Sequence, residues 1–495
     1  MPAVFDQGPP EPCPTPFNMA AYVLGQADRL SDKPALITTD GEVMRYSDLL
    51  ARVTRVAGGL RDCGLEPGDR VLFRLGNSPR FPIAYLACIW AGLVPVPLSA
   101  QLTTTEVDGI AKQVDPAALL VDEGLSRPGT SNALVLHSFP EGTPVEPDLG
   151  DPNRLAYIVF TSGTGGKSRG VCHAHRAIWA RRMMYDGWYG LREDDRVMHA
   201  GAFNWTYTLG TGLMDPWSVG ATAIIPAPGT PCGKLMPLAA QNDVTIFAAA
   251  PGVYRQILKS DISVPTLRHG LSAGEHLSDN LRCAWNAQTG TDLHQAFGMS
   301  ECSTFISGSP KAPARPGSSG RPQKGRKIAI LEDGAPAPFG TSGALAIAAR
   351  DPGLMLHYLG DAPPKADWFD TGDLAKMDED GSITYLGRAD DLMNAGGFRV
   401  SPLEVEACFT QLTGVSTCAA VEIKIKQDTS VIALFHEGGT DEHSLRAHAE
   451  THLARYKQPR LYIPVDALPY GRNGKLNRRV LRQTYEADNG WTHQT

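Results

Sequence analysis

The chain has 495 residues, of which 42% are apolar and 20% charged, and a formal net charge of −7. That length exceeds a single hydrophobic core and predicts two or more structural units of ordinary globular composition. Lys and Arg form no long basic run, which argues against nucleic acid or an anionic membrane as partner.

No apolar run approaches the roughly 20 residues that span a bilayer. The stretch 1–16 is Pro-rich and acidic, unlike a signal peptide, so a soluble, cytoplasmic protein is expected. The nine cysteines are scattered from Cys13 to Cys418 without a Cys-x-x-Cys pair. That pattern argues against a zinc site or a disulfide framework and for buried or idle thiols in a reducing compartment.

In chain order, residues 70–75 read as a short apolar strand after a Pro-Gly-Asp turn. Residues 80–92 have helical spacing, and 94–98 return to an extended pattern. Residues 156–160 form a continuous apolar run that stops at a loop of Gly, Ser and Thr, and 221–226 and 244–249 resemble it as buried strands. Strands alternating with helices predict an α/β fold with largely parallel sheets. The last hundred or so residues differ. A strand pattern at 381–386 leads into the charged stretch 387–392, a Gly-Gly turn, an amphipathic helix at 402–412 and further strand–helix alternation, the dimensions of a small α+β unit. The boundary is expected near 388–391, giving domains 1–389 and 390–495.

The segment Tyr157-Ile-Val-Phe-Thr161-Ser162-Gly163-Thr164-Gly165-Gly166-Lys167-Ser168-Arg169-Gly170 carries the most chemistry. An apolar strand enters a loop of glycines, hydroxyls and two cations. Glycines let backbone N–H groups turn toward an anion, hydroxyls add donors and Lys adds a movable charge, which together suit a polyphosphate. The plainer alternative is a flexible surface loop. A P-loop is excluded because that motif needs Gly where Thr161 stands. Gly270-Leu271-Ser272-Ala273-Gly274 fits the G-x-S-x-G elbow of hydrolases, but the polar residues 266–270 precede it where a buried strand is required.

From Thr161 onward the sequence resembles the adenylate-forming superfamily of acyl-CoA synthetases, peptide-synthetase adenylation domains and luciferases. Its later motifs follow in order. They are Gln295-Ala-Phe297-Gly298-Met-Ser300-Glu301, Trp368-Phe-Asp-Thr-Gly-Asp373, the hinge-like stretch from Gly387 to Glu404, and Asn473-Gly474-Lys475-Leu-Asn-Arg478. The loop departs from the family pattern at Gly165, Ser168 and Arg169, and Phe297 and Ser300 stand where Tyr and Thr are usual. The resemblance implies a large N-terminal domain of packed sheets flanked by helices and a small mobile α+β C-terminal domain.

It also implies residue roles. Thr161, Ser162, Gly163, Thr164, Gly166, Lys167 and Ser300 would bind the ATP phosphates, and Glu301 would hold Mg²⁺, a hard cation that takes carboxylate oxygen. Ala273, Gly274, Glu275, Phe297 and Gly298 would face adenine, with Asp373 on the ribose and Arg388 reaching the nucleotide from the domain boundary. Lys475 would bridge the attacking carboxylate and the α-phosphate. Asp390 would be the hinge, and Gly396, Gly397 and Arg399 would face coenzyme A after the small domain rotates. By residue type alone each fits a plainer role: core packing for Phe297, a turn for Asp373, solvated charges for Glu301, Arg388 and Lys475, and a linker for Asp390.

The acyl pocket would lie at Phe203, Asn204, Trp205, Tyr207 and Gly210, whose aromatics suit an aromatic or short-to-medium chain acid, with core packing as the alternative. Asn204 stands where amino-acid-activating relatives have Asp, which argues against an amino acid substrate. The expected activity is an ATP-dependent carboxylic acid–CoA ligase. The alternatives are an adenylating enzyme that loads a carrier-protein thiol and a non-catalytic binding protein of the same fold. Neither the acid nor the oligomeric state is legible in the sequence.

Overall fold

The structure, a computed structural model, describes residues 1–129, 133–162, 168–395, 398–410, 412–426, 429–470 and 476–488. Side chains at 162, 390, 394, 395, 398, 399, 426 and 429 fall outside that description.

Two sheets of the large domain are built on parallel strands. The four-stranded sheet runs Val94–Pro97, Arg70–Arg74, Ala118–Val121 and Leu134–Leu136, all parallel. The helix Arg80–Trp90 packs into the core beside it, and every residue from Phe81 to Trp90 is buried, as an all-apolar helix requires. In the nine-stranded sheet, Asp292–Met299, His269–Ala273, Ile246–Ala249, Arg196–His199, Thr222–Ile225 and Pro34–Thr38 run parallel in that order. Val197, Leu271 and Ala296 face one core cluster, with Trp188. Met198, Phe247 and Leu293 face the other, with Tyr254 and Trp285 from the covering helices. Burial on both faces explains the continuous apolar runs in these strands.

Other strands depart from the parallel expectation. Val4–Asp6, Lys327–Glu332, Ser342–Ala348, Trp368–Met377 and Ile383–Arg388 pair antiparallel as a separate sheet. The strand Trp368–Met377 alternates buried and half-buried residues, so one of its faces is only partly covered.

A short 3₁₀ turn, Ala389–Asp391, follows that sheet and leads into the small domain. There the helix Pro402–Phe409 starts on Ser401, whose Oγ accepts from Glu404 N at 3.4 Å, with Pro402 in the first turn. The long strands Val415–Lys426 and Thr429–Gly438 pair antiparallel, and Leu461–Pro464 adds in parallel. Val405, Phe409, Leu434, Leu445 and Ala449 form its core. The domains meet where Asn280 Nδ2 donates to Thr410 O at 2.8 Å and where Arg255 lies 5.9 Å from the centre of the Tyr470 ring. Among the described residues no helix is long and apolar enough to cross a membrane.

Candidate active site

The apolar run at 156–160 lies within the strand Leu155–Ser162, which turns back as Ser168–Ala174. Thr161 pairs with Arg169 and Ser162 with Ser168, so the strands on either side of the glycine-rich segment pair antiparallel. Gly163, Thr164, Gly165, Gly166 and Lys167 lie outside the described residues, as does the Ser162 side chain. The strand His357–Tyr358 pairs with Cys172 and Val171 and completes a three-stranded sheet at the base of the loop.

Tyr358 joins this loop to Glu301. Its hydroxyl donates to Glu301 Oε1 at 2.8 Å, and the Arg169 guanidinium lies 3.4 Å from its ring centre. Arg169 also pairs with Asp361 at 2.8 Å, so its charge is already partnered on the outer side of the hairpin. Burial, then the neighbouring Glu301 carboxylate, push the Tyr358 phenol well above its ordinary pKa, so it remains a donor. The turn carrying Ser300 and Glu301 is held from two sides: His173 Nε2–H donates to Ser300 O at 2.8 Å, and Met355 N–H to Glu301 O at 2.7 Å. Burial pushes His173 down to about 4, so the imidazole is neutral and acts as a fixed strut. Gly298 lets this turn close, because a Cβ there would sit 2.2 Å from Ser303 O.

Asp373 and Arg388 are register partners on neighbouring strands. The Asp373 carboxylate is 5% exposed, accepts from Tyr385 OH at 3.0 Å and pairs with Arg388 at 3.4 Å. Arg388 Nη1 also donates to Thr371 O at 2.9 Å. The Tyr385 ring lies 5.2 Å from Phe297, which in turn meets Phe305 edge-on at 5.4 Å. Phe297 is therefore packed on the antiparallel sheet, between the core and the candidate ribose site. Ala273 ends its strand opposite Ala296, which brings Gly274 beside Phe297 at the carboxyl edge of the parallel strands, where α/β sheets bind ligands. Gly274 has φ +95° and faces open space, so a ligand can approach its backbone. Glu275 is held by Arg255 at 3.8 Å.

The aromatic segment lies along the same edge. The Tyr207 hydroxyl is 3.1 Å from Leu271 O and 3.3 Å from Ala249 O, so it ties two strand ends together, and its ring meets His199 at 4.3 Å. Both His199 ring nitrogens and Thr208 Oγ1 are buried without hydrogen-bond partners among the described residues. Burial pushes His199 down to about 3, so it is neutral. Asn204 and Trp205 are half-buried. Phe203, at 3% exposure, packs against Phe81 at 5.7 Å and belongs to the core rather than to an open wall. Asn77 clamps this loop: it donates to Gly201 O at 2.7 Å and accepts from Phe203 N–H at 3.0 Å.

Gly210 answers to another constraint. A Cβ there would lie 2.2 Å from Arg181 Nη2, so the glycine makes room for a buried ion pair. Arg181 forks onto Asp215 at 2.9 and 2.6 Å, Tyr189 OH donates to Asp215 at 2.8 Å, and Arg181 Nη1 donates to Ser303 Oγ. Asp215 is fully buried, so Asp215→Ala leaves Arg181 charged without its partner. The loss of stability is expected to be about 3–5 kcal/mol, read as a lowered urea midpoint.

The placement of Ser272 argues against the hydrolase alternative. Gly270–Ala273 lies inside the strand His269–Ala273, and Ser272 Oγ is buried with no partner among the described residues, so Ser272 is not an exposed nucleophile on a strand-to-helix turn. Gly396, Gly397 and Lys475 lie outside the described residues, as do the side chains of Asp390 and Arg399. Tyr358, Tyr385 and Asn77 are contacts that the sequence motifs do not reveal.

The family model for AMP-binding enzymes matches residues 24–359, and the model for the AMP-binding enzyme C-terminal domain matches residues 404–475. The chain belongs to the AMP-binding enzyme family. It is 27% identical to mitochondrial acyl-coenzyme A synthetase ACSM3 of Mus musculus, over 95% of this chain and 91% of that protein. It is 26% identical to 3-hydroxybenzoate–CoA ligase of Aromatoleum sp. (strain CIB), over 95% and 97%. The crystal structure of the anthranilate CoA ligase AuaEII in complex with anthranoyl-AMP superposes with a TM-score of 0.88 at 25% identity, covering 97% of this chain and 99% of that one.

Proposed function

We propose that the protein is an AMP-forming carboxylic acid–CoA ligase acting in the cytoplasm on an aromatic or short-to-medium chain acid. The observation that carries the reading is Tyr358, which sits on the strand paired to the hairpin strand Ser168–Ala174, donates to Glu301 at 2.8 Å and lies within electrostatic reach of Arg388, the partner of Asp373. Relatives named for acyl-CoA and 3-hydroxybenzoate–CoA ligation support the same reading.

In this reading the hairpin loop, with Thr161, Ser162, Gly163, Thr164, Gly166, Lys167 and Ser300, grips the phosphates of ATP. Adenine lies against Ala273, Gly274, Glu275, Phe297 and Gly298, and Asp373 accepts from the ribose hydroxyls. Arg388 holds the nucleotide from the last strand of the large domain. A carboxylate oriented by one tyrosine hydroxyl suits a hard cation, so Glu301 would hold Mg²⁺, which supplies positive charge beside the phosphates when bound. The acid's carboxylate attacks the α-phosphate and pyrophosphate leaves, with Lys475 offsetting the charge on both reacting groups. The CoA thiol then attacks the acyl carbon, giving thioester and AMP.

The domain boundary is placed at 389/390, with Asp390 as the hinge whose rotation exchanges Lys475 for Gly396, Gly397 and Arg399. Trp205, Tyr207 and Asn204 bound the acyl side.

Tyr358→Phe removes the hydrogen bond to Glu301 and keeps the ring under Arg169. A hydrogen bond to a charged group contributes about 1.5–3 kcal/mol, so adenylation efficiency is expected to fall by roughly tenfold or more. Initial rates measured against Mg²⁺ concentration check this, and the loss should be largest at low Mg²⁺. The function itself is tested by incubating the protein with ATP, Mg²⁺, CoA and benzoate, hexanoate or palmitate. CoA thioester from benzoate or hexanoate is the expected product. A clear preference for palmitate would contradict the substrate class, and acid-dependent pyrophosphate release without CoA consumption would favour loading of a carrier-protein thiol.

A further inference from the structure

The small domain holds a group of metal-ligating side chains that the reaction does not use. Cys408 lies in the last turn of the helix Pro402–Phe409, and His448 and His452 are one turn apart on the helix Glu442–His452. Residues at this spacing share a helix face, and the two imidazoles stack with ring centres 4.2 Å apart. One ligand atom from each of Cys408, His448 and His452 lies within 4.8 Å of the other two. Cys408 and His448 are half-buried and His452 is exposed, so the group is open to solvent on one side.

The hydrogen bonds around it set the tautomers. His448 Nε2 is 3.0 Å from Cys408 O, and His452 Nδ1 is 2.9 Å from His448 O. A carbonyl only accepts, so in each ring that nitrogen carries the proton. The lone pairs are left on His448 Nδ1 and His452 Nε2. In the metal-free protein the group is thus held by backbone carbonyls, that of Cys408 among them, and metal binding would compete with the His448 Nε2–H bond to it.

We propose that Cys408, His448 and His452 form a binding site for a borderline-soft divalent transition metal ion of the zinc class, with water in the fourth position. One thiolate and two imidazoles select such an ion over Mg²⁺, which takes oxygen ligands. Binding breaks the Cys408 S–H bond, forms the Sγ–metal bond and releases the proton to solvent, so affinity falls as pH falls. The ion would clip the two helices together.

The full-length protein, stripped with a chelator under reducing conditions, should be titrated with Co²⁺ as a spectroscopic probe. The expected result is a thiolate-to-cobalt charge-transfer band that saturates at one equivalent and is bleached by Zn²⁺ but not by Mg²⁺. Cys408→Ser should abolish the band. His452→Ala, at an exposed position that leaves the fold intact, should weaken binding by more than about tenfold, the smallest loss usual even for a partner outside the coordination shell. Absence of the band, its persistence in Cys408→Ser, or unchanged affinity in His452→Ala would overturn the assignment.

Discussion

Lys475→Ala is expected to lower acyl-adenylate formation by about 10²–10³-fold, the usual cost of removing one preorganised group that stabilises transition-state charge. The acid's carboxylate and the α-phosphate are both anionic, and negative charge grows between them as the new bond forms. A cation placed between them reduces that repulsion and aligns the attack. Thioester formation from supplied acyl-adenylate should be largely retained, because the proposed rotation of the small domain takes Lys475 out of the site for the second half-reaction. Measuring both half-reactions separately decides the matter: an equal loss in both would contradict the rotation of the small domain.

Glu301→Gln is expected to reduce adenylation by a comparable factor, about 10²–10³-fold, with the loss carried by kcat and by the Mg²⁺ requirement rather than by the KM for the acid. The substitution keeps the shape of the side chain, and its amide oxygen can still accept from Tyr358, so the turn itself should survive. What is lost is the negative charge that a hard cation needs. A near-uniform increase in the KM for all substrates, or no change in Mg²⁺ dependence, would mean that Glu301 is an ordinary turn residue. Thioester formation from supplied adenylate again serves as the internal reference, because the pyrophosphate whose charge the cation would offset is absent from that step.

The motifs are legible in the sequence because each couples a local backbone requirement to a chemical group. The run before Thr161 forms a buried strand entering the hairpin, and Gly298 permits the turn that presents Glu301. Asp373 and Arg388 lie far enough apart in sequence to carry no spacing signal, yet strand pairing sets them side by side. Tyr358 and Tyr385 escaped notice because a lone tyrosine has no pattern, and only the fold shows each hydroxyl reaching a site carboxylate. Gly210 and Phe203 show the opposite failure: a suggestive segment mixes residues facing the candidate site with residues serving the core and the Arg181–Asp215 pair. The antiparallel sheet is less legible, because the strand Trp368–Met377 mixes buried with half-buried residues. Cys408 reaches the His448–His452 pair only through the packing of two helices, which no sequence spacing records.

The most direct test of the ligase assignment is a single reaction containing the protein, ATP, Mg²⁺, CoA and benzoate, in which pyrophosphate, AMP and benzoyl-CoA are quantified together. The account predicts one pyrophosphate and one AMP per thioester, with no thioester formed when ATP is withheld. Thioester accompanied by ADP and phosphate, or AMP and pyrophosphate formed without dependence on any acid in the aromatic and short-to-medium chain series, would contradict it.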